Sequence, residues 1–496
     1  MVSNGRSVHE ANVLKARHAI VNSAFRAASW FALFRAIAQS LSWVATVLIA
    51  RLLVPSDYGL MAMSTVIIGF AVIFRELGLG VAIIQRPSTT DEELSSIFWF
   101  SATFGVLLAL LCFPIASLTG YIMKEPKVVP ITQSVSGIFV LGGLQIVPLS
   151  LIKKNLNFKA IGVMEMIAMF SSSIVMIVCA ALGAGVWTFV LGHYTRTVIN
   201  LVYTYSLTRW RPIAHFGYPN LKPFLKFGVI TALSMSVSYL WQKSDRFFAG
   251  RAWASQALGY YTFALELSQI PTEKIVSLLN QVSFPTFSKL QSDSEGFSHF
   301  YLQIIKTTAF IVFPLFVGGF ILGEPLVILL LGDKWRPMVS IFCFLCLSQI
   351  PVALNAVNNS AHLAQNRPTW GLFFHLLCLC VIPVAFYFSA NYGIEAMVLP
   401  WLAIYTLVCL FWIFITIRKI RIEISAYLKS LWHPFWGTIF MATIVLLGQY
   451  LLTSLGDSTI AILLSCLTIG LVSYVGYFMI FDRSLLSALR MLRTNR

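Results

Sequence analysis

Runs of about twenty mainly apolar residues, parted by short polar breaks, recur along the whole chain. At 1.5 Å per residue each run is long enough to cross a bilayer core as a helix. The runs predict fourteen spans, near residues 28–50, 58–82, 95–118, 129–151, 159–182, 186–207, 224–242, 257–282, 299–322, 338–362, 370–390, 394–417, 432–453 and 459–481. Strands of a membrane barrel would be shorter and would alternate apolar with polar residues, a pattern the sequence lacks. The expected fold class is therefore an all-α integral membrane protein.

The spans group as six, six and two, because the chain repeats itself. Arg51, Gly59 and Phe113-Pro114 return as Arg251, Gly259 and Phe313-Pro314 at an offset of 200, and Lys159, Gly185 and Val190 are answered by Arg367, Gly393 and Val398 at an offset of 208. A period this long does not suit a solenoid; it suits two domain-sized halves. The expected organisation is a six-helix lobe over 1–207, a linker over 208–223, a second six-helix lobe over 224–417, and two further spans with a basic tail over 418–496.

Composition narrows the class. Apolar residues make up 58% of the chain and charged residues 11%, and the mean hydropathy is +0.81, values that a water-soluble globule would not carry on its surface. A formal net charge of +16 would suggest nucleic acid in a soluble protein. Here its placement gives another reading. With the N-terminus in the cytoplasm, Lys153, Lys154, Lys159, Arg209, Arg211, Lys222, Arg418, Lys419 and Arg421 fall inside, and a smaller set including Arg51, Lys124, Lys243, Arg246, Arg251 and Arg336 falls outside. This is the positive-inside bias. No nucleic-acid partner is expected, both termini are placed in the cytoplasm, and the six-span halves are parallel repeats.

Catalytic signatures are missing. The sequence holds no GxxxxGK(S/T) loop and no HExxH pair. Its eight cysteines all lie in apolar runs and read as small packing residues, Cys343 and Cys346 included. No catalytic residue, metal site or cofactor is expected.

What remains are ionisable groups inside spans, each costly enough to need a partner or a purpose. Arg35 lies about 10 Å from the cytoplasmic start of its span, while Arg75 and Lys274 lie about 25 to 27 Å from the outer starts of theirs. All three then crowd the inner half, and under the repeat Arg75 and Lys274 sit at nearly equal depth. They either face a shared cleft or snorkel to the headgroups. Glu76 either pairs with a neighbouring cation or binds a coupling ion, and Glu266 either pairs with Arg35 or does the same. Glu165 and Arg196, on successive spans, are expected to form a structural pair.

The stretches IARLLVPSDYGLMAMS (49–64), LGLGVAIIQR (77–86), DEELSSIFW (91–99), KKNLNFKAIG (153–162), LGYYTFALELSQIPTEKIVSLLNQVSFPTFSKLQ (258–291) and LLLGDKWRP (329–337) resemble the polysaccharide transporters of the multidrug/oligosaccharidyl-lipid/polysaccharide (MOP) exporter superfamily, colanic-acid and xanthan exporter type. The resemblance covers most of both halves. It implies a MATE-like fold of about fourteen transmembrane helices, with two six-helix lobes around a central cavity lined by the first two helices of each lobe. Arg35, Arg75 and Lys274 would then lie near the cavity as substrate-binding residues for a pyrophosphate or anionic sugar, with Arg196 farther away. It further implies a flippase moving undecaprenyl-pyrophosphate-linked oligosaccharide units across a bacterial inner membrane by alternating access, coupled to an H+ or Na+ gradient, beside a polymerase and export machinery. An exporter of small organic cations would display acidic groups where this chain has basic ones. A membrane-bound glycosyltransferase or polymerase would need acidic or histidine groups in a sizeable aqueous loop, and the loops here are short.

Overall fold

A computed structural model describes residues 39, 42–86, 88–218, 221, 232–233, 235–365, 368–455 and 458–482. The described residues are overwhelmingly helical and fall into two compact units, Met1–Ser236 and Val237–Arg496. Among them, ten helical segments are long and apolar enough to cross a membrane, four in the first unit and six in the second. This is a multi-pass membrane protein.

In the first unit the helices are α1 (Ser42–Leu52), α2 (Pro55–Glu76), α3 (Leu79–Gln85), α4 (Asp91–Ile122), α5 (Val128–Ser136), α6 (Ile138–Lys154), α7 (Phe158–Ala181) and α8 (Trp187–Thr208). Local signals set the breaks. Pro55 opens α2, where its missing N–H costs nothing, and the Val54 N–H donates to the Asp57 carboxylate at 3.2 Å. Leu77 and Gly78 turn left-handed, at φ 38° and 61°, and separate α2 from α3. Thr90 and Glu93 close a capping box at the start of α4. Packing then relies on small residues, since lipid offers apolar side chains no reward for meeting one another. Gly105 and Gly143 let α4 and α6 approach until a Cβ at either would collide with the other helix's backbone. Leu79, Ile83, Ile97, Phe98 and Val147 form the core around this contact.

Helix α9 (235–242) runs across the division, and the second unit then holds α10 (Ser244–Ala252), α11 (Ser255–Lys289), α12 (Ser294–Ile321), α13 (Gly323–Leu331), α14 (Val339–Ala364), α15 (Pro368–Ser389), α16 (Thr406–Ile420), α17 (Ile424–Ser454) and α18 (Thr459–Phe481). A π-helical turn, Pro400–Tyr405, leads into α16. Thr272 donates to Gln349 at 3.0 Å and ties α11 to α14. The last two helices pack on α12 through Met441, Val445, Cys466, Tyr474 and Phe478, and an ion pair of 2.6 Å joins Lys306 to Asp482.

Helix boundaries carry the repeat. Helices α1 and α10 end at 52 and 252, α2 and α11 begin at 55 and 255, and α7 and α15 end at 181 and 389, which reproduces both offsets. Two expectations change. The segment 208–218 packs onto α4, with Ile213 O accepting from Trp99 Nε1 at 2.9 Å and the Ile213 and Gly217 amides donating to Ser95 and Ser96. The described part of the expected linker thus lies within the first of the two compact units, Met1–Ser236. Residues 243–256, read as an outer connection, are mostly the helix α10.

Candidate functional site

Two of the long helices are too polar to be among the ten apolar spans, α8 with His193, Arg196 and Asn200, and α11 with Glu266, Glu273, Lys274 and Asn280. Polar side chains on a spanning helix mark a protein or water-lined face instead of lipid. Four of the residues singled out from sequence lie on or beside these two helices.

In the first unit, the left-handed turn after α2 leaves Arg75 in the last turn of that helix. Its half-buried guanidinium lies against α6 at Gly142, where any Cβ would overlap it. The cation thus turns into the unit, and the glycine is the space it occupies. Glu76 closes α2, but its side chain, like all of Arg35, is outside the described residues.

Glu165 and Arg196 do not meet. Ser172 on α7 donates to the Gly192 carbonyl on α8 at 2.9 Å, which fixes the antiparallel register of the two helices. Arg196 is one turn beyond Gly192 and so faces Met169 and Ser172, about one turn from Glu165. It lines a cleft with His193, Ser42, Thr46, Ser172 and Ser173. The expected structural pair is replaced by a cation in a polar cleft.

In the second unit, Lys274 is half-buried on α11, and the charge centre lies nearer the start of that helix. Arg246 Nη2 donates to Glu266 Oε1 at 3.1 Å, with the arginine side chain 8% exposed and the glutamate 50%. Glu266 was expected to pair with Arg35 or to bind an ion; its partner here is Arg246. Beside the pair, Asp245 is fully buried. Its Oδ1 accepts from the Arg246 amide at 2.6 Å and its Oδ2 from the Tyr261 hydroxyl at 3.0 Å, while Tyr261 Oη accepts from Trp401 Nε1 at 2.8 Å. The π-helical turn presents Trp401 to this chain of bonds, a use typical of such turns at functional sites. Taking two charges out of water costs several kcal/mol per ion before pairing, so the network has to be well satisfied to persist.

Sequence reading placed Arg246 in an outer loop and passed over Asp245, Tyr261 and Trp401. The missed signal lay in the repeat. Residues 242–252 answer 42–52, which fold as the helix α1, so a helix was due again over 244–252.

Also within the second unit, an apolar groove of about 410 Å³ runs between α11, α12, α14 and the last two helices, lined by Pro271, Pro314, Phe342, Met441, Cys466 and Tyr474. Pro271 and Pro314 lie inside α11 and α12, where neighbouring helices can satisfy the carbonyls they release. Cys343 and Cys346 pack against Gly323 and Gly319. Among the described residues no group of three or more His, Cys, Asp or Glu could hold a metal ion.

Residues 48–340 match the family described as polysaccharide biosynthesis protein. The lipopolysaccharide biosynthesis protein WzxC of Escherichia coli (strain K12) is 24% identical, over 85% of this chain and 88% of its own length. The succinoglycan biosynthesis transport protein ExoT of Rhizobium meliloti (strain 1021) is also 24% identical, over 94% of each chain. Among solved structures, the lipid II flippase MurJ in an inward closed conformation superposes with a TM-score of 0.75 at 16% identity, covering 92% of this chain and 99% of that one. The fold is that of this group of membrane transporters.

Proposed function

We propose that this chain, which belongs to the polysaccharide biosynthesis protein family, is a flippase for undecaprenyl-pyrophosphate-linked oligosaccharide units and not an enzyme. The observation that carries the reading is likeness along the whole length: 94% of this chain aligns with 94% of a succinoglycan biosynthesis transport protein. The membrane is a bacterial inner membrane, and both termini and the basic segment 208–218 are assigned to its cytoplasmic side. A polymerase and an export machinery consume the product.

The geometry supports a substrate with an apolar tail and an anionic head. The groove between α11, α12, α14 and the last two helices suits a polyprenyl chain, since its lining is almost wholly apolar. Pyrophosphate carries charge that has to leave water, and guanidinium groups bind its oxygens through two parallel hydrogen bonds. Arg35, Arg75 and Lys274 are the proposed head-group contacts. Transport proceeds by alternating access driven by an H+ or Na+ gradient. Glu266 is the proposed coupling carboxylate: a proton there neutralises the partner of Arg246 and frees a buried guanidinium for substrate, and ion release restores the pair. Glu76, next to Arg75, is the corresponding candidate in the first unit.

Complementation of a flippase-deficient strain tests this reading. The wild-type chain should restore polymer export, while Arg75→Ala and Lys274→Ala, inserted at normal level, should each cost about 1.5 to 3 kcal/mol of head-group binding, or one to two decades in affinity. Arg35→Lys should recover only part of what Arg35→Ala loses. Export at the wild-type rate by all three alanine variants would refute the head-group assignment.

A further inference from the structure

The cleft that holds Arg196 has no role in the reading above. It is bounded by α1, α7 and α8 within the first unit and encloses about 180 Å³, the scale of one sugar ring. Arg196 is nine residues into α8, about 13 Å along a helix of about 33 Å, and so near the middle of its span. A cation at that depth, exposed along the cleft, faces water or a ligand and not lipid. Among the described residues no carboxylate lines the cleft, and Arg196 forms no ion pair.

The remaining lining is specific in its polarity. Ser172 spends its hydroxyl proton on the Gly192 carbonyl at 2.9 Å, and Thr46 spends its proton on the Ser42 carbonyl at 2.8 Å. Both oxygens are then left to the cleft as acceptors. Chloride or sulfate cannot use them, because neither has anything to donate, and inorganic phosphate, whose P–OH can donate, has no ring to set against the apolar wall. A sugar acid uses both features, its carboxylate on the guanidinium and its ring hydroxyls on Ser172 and Thr46. Ala45, Ile49, Met169 and Phe189 supply apolar wall for the C–H faces of a ring. Gly192 is part of the construction, since a Cβ there would run into Met176 and close the space between α7 and α8.

We propose that this cleft is a binding site for a single carboxylate-bearing sugar, a hexuronate, with Arg196 holding the carboxylate and Thr46 and Ser172 accepting from its hydroxyls. The site goes beyond head-group transport and selects for an acidic residue in the transported unit, so its biological meaning rests on the transport reading. Its test does not. The purified full-length chain in lipid nanodiscs is titrated with methyl glucuronide, methyl glucoside and inorganic phosphate, with binding read by calorimetry. Methyl glucuronide should bind at least tenfold more tightly than either of the others. Arg196→Gln, which removes the charge but keeps a hydrogen-bonding amide, should abolish that preference while leaving methyl glucoside unchanged. Thr46→Val should weaken both sugars and spare phosphate. Equal binding of glucuronide by wild type and Arg196→Gln in equally monodisperse preparations would overturn the proposal, as would phosphate binding as tightly as glucuronide. If glucuronide binds as described but the chain fails to support export, the transport reading falls and the site stands.

Discussion

At the scale of single residues, Arg246 concentrates the most risk, because its buried guanidinium is paired with the half-exposed Glu266 carboxylate while its backbone amide donates to the fully buried Asp245. Asp245→Ala should leave the Tyr261 hydroxyl and the Arg246 amide without their acceptor and remove a buried negative charge beside the Arg246 cation, destabilising the second unit by roughly 3 to 5 kcal/mol, the usual consequence of breaking a buried charge network from one side. Glu266→Gln keeps an acceptor oxygen for Arg246 at a half-exposed position and should cost about 1 kcal/mol or less, yet remove any response of transport to the driving ion. Melting of the two variants in detergent checks the order, and a reversed order would remove Asp245 from the centre of the network. Cys343→Ala with Cys346→Ala should leave export near wild type, because each thiol fills the space above a glycine; a loss of export from normally inserted protein would restore a redox or metal role. Which of these residues could be read from sequence followed from what hydropathy detects. Glu266 and Lys274 stood out as charges inside an apolar run, whereas Asp245 and Arg246 sit in a polar stretch that looks like a loop until its helical repeat partner is considered.

At the scale of helices, apolar runs located the cores of the described helices well and their ends poorly, while the runs near 28–50 and 224–242 lie in part outside the described residues. The run near 432–453 belongs to a helix from Ile424 to Ser454, and the run near 257–282 to one from Ser255 to Lys289. Hydropathy reports the part of a helix that meets hydrocarbon, while backbone hydrogen bonding carries the helix on into the headgroups until a cap or a left-handed residue stops it. Side-chain contacts between helices are still less visible: Arg196, expected beside Glu165 from depth alone, lines a cleft with His193, Ser172 and Ser173. The close approach of α4 and α6 makes a testable case. Gly105→Val adds a branched side chain where even a Cβ would lie 3.1 Å from the Phe139 carbonyl carbon, so overpacking should cost about 1 to 3 kcal/mol. Gly318→Val, where nothing lies within 4 Å of an added Cβ, should be far milder, and equal melting shifts for the two would argue against the tight α4 to α6 contact.

At the scale of the whole chain, the duplication was legible because a few markers at offsets of 200 and 208 survive where packing and turns demand them, and helix ends fall at the same offsets. The packing of the segment 208–218 was not legible, because it looks like a linker by charge yet hydrogen-bonds to α4. Topology follows from the same basic residues: single cysteines at 212 and 124, in a chain whose native cysteines are replaced, should be shielded from and open to a membrane-impermeant thiol reagent added outside, respectively, and the opposite pattern would invert the orientation. The central claim is that the chain moves a lipid-linked oligosaccharide between leaflets. It is tested most directly by reconstituting the purified protein into vesicles carrying a fluorescent undecaprenyl-pyrophosphate-linked oligosaccharide and following the fraction accessible to an external quencher. The account predicts protein-dependent equilibration of the label between leaflets, slowed at least tenfold by Arg75→Ala and by Lys274→Ala. Equilibration no faster than in protein-free vesicles, under an imposed H+ or Na+ gradient of either sign, would contradict it.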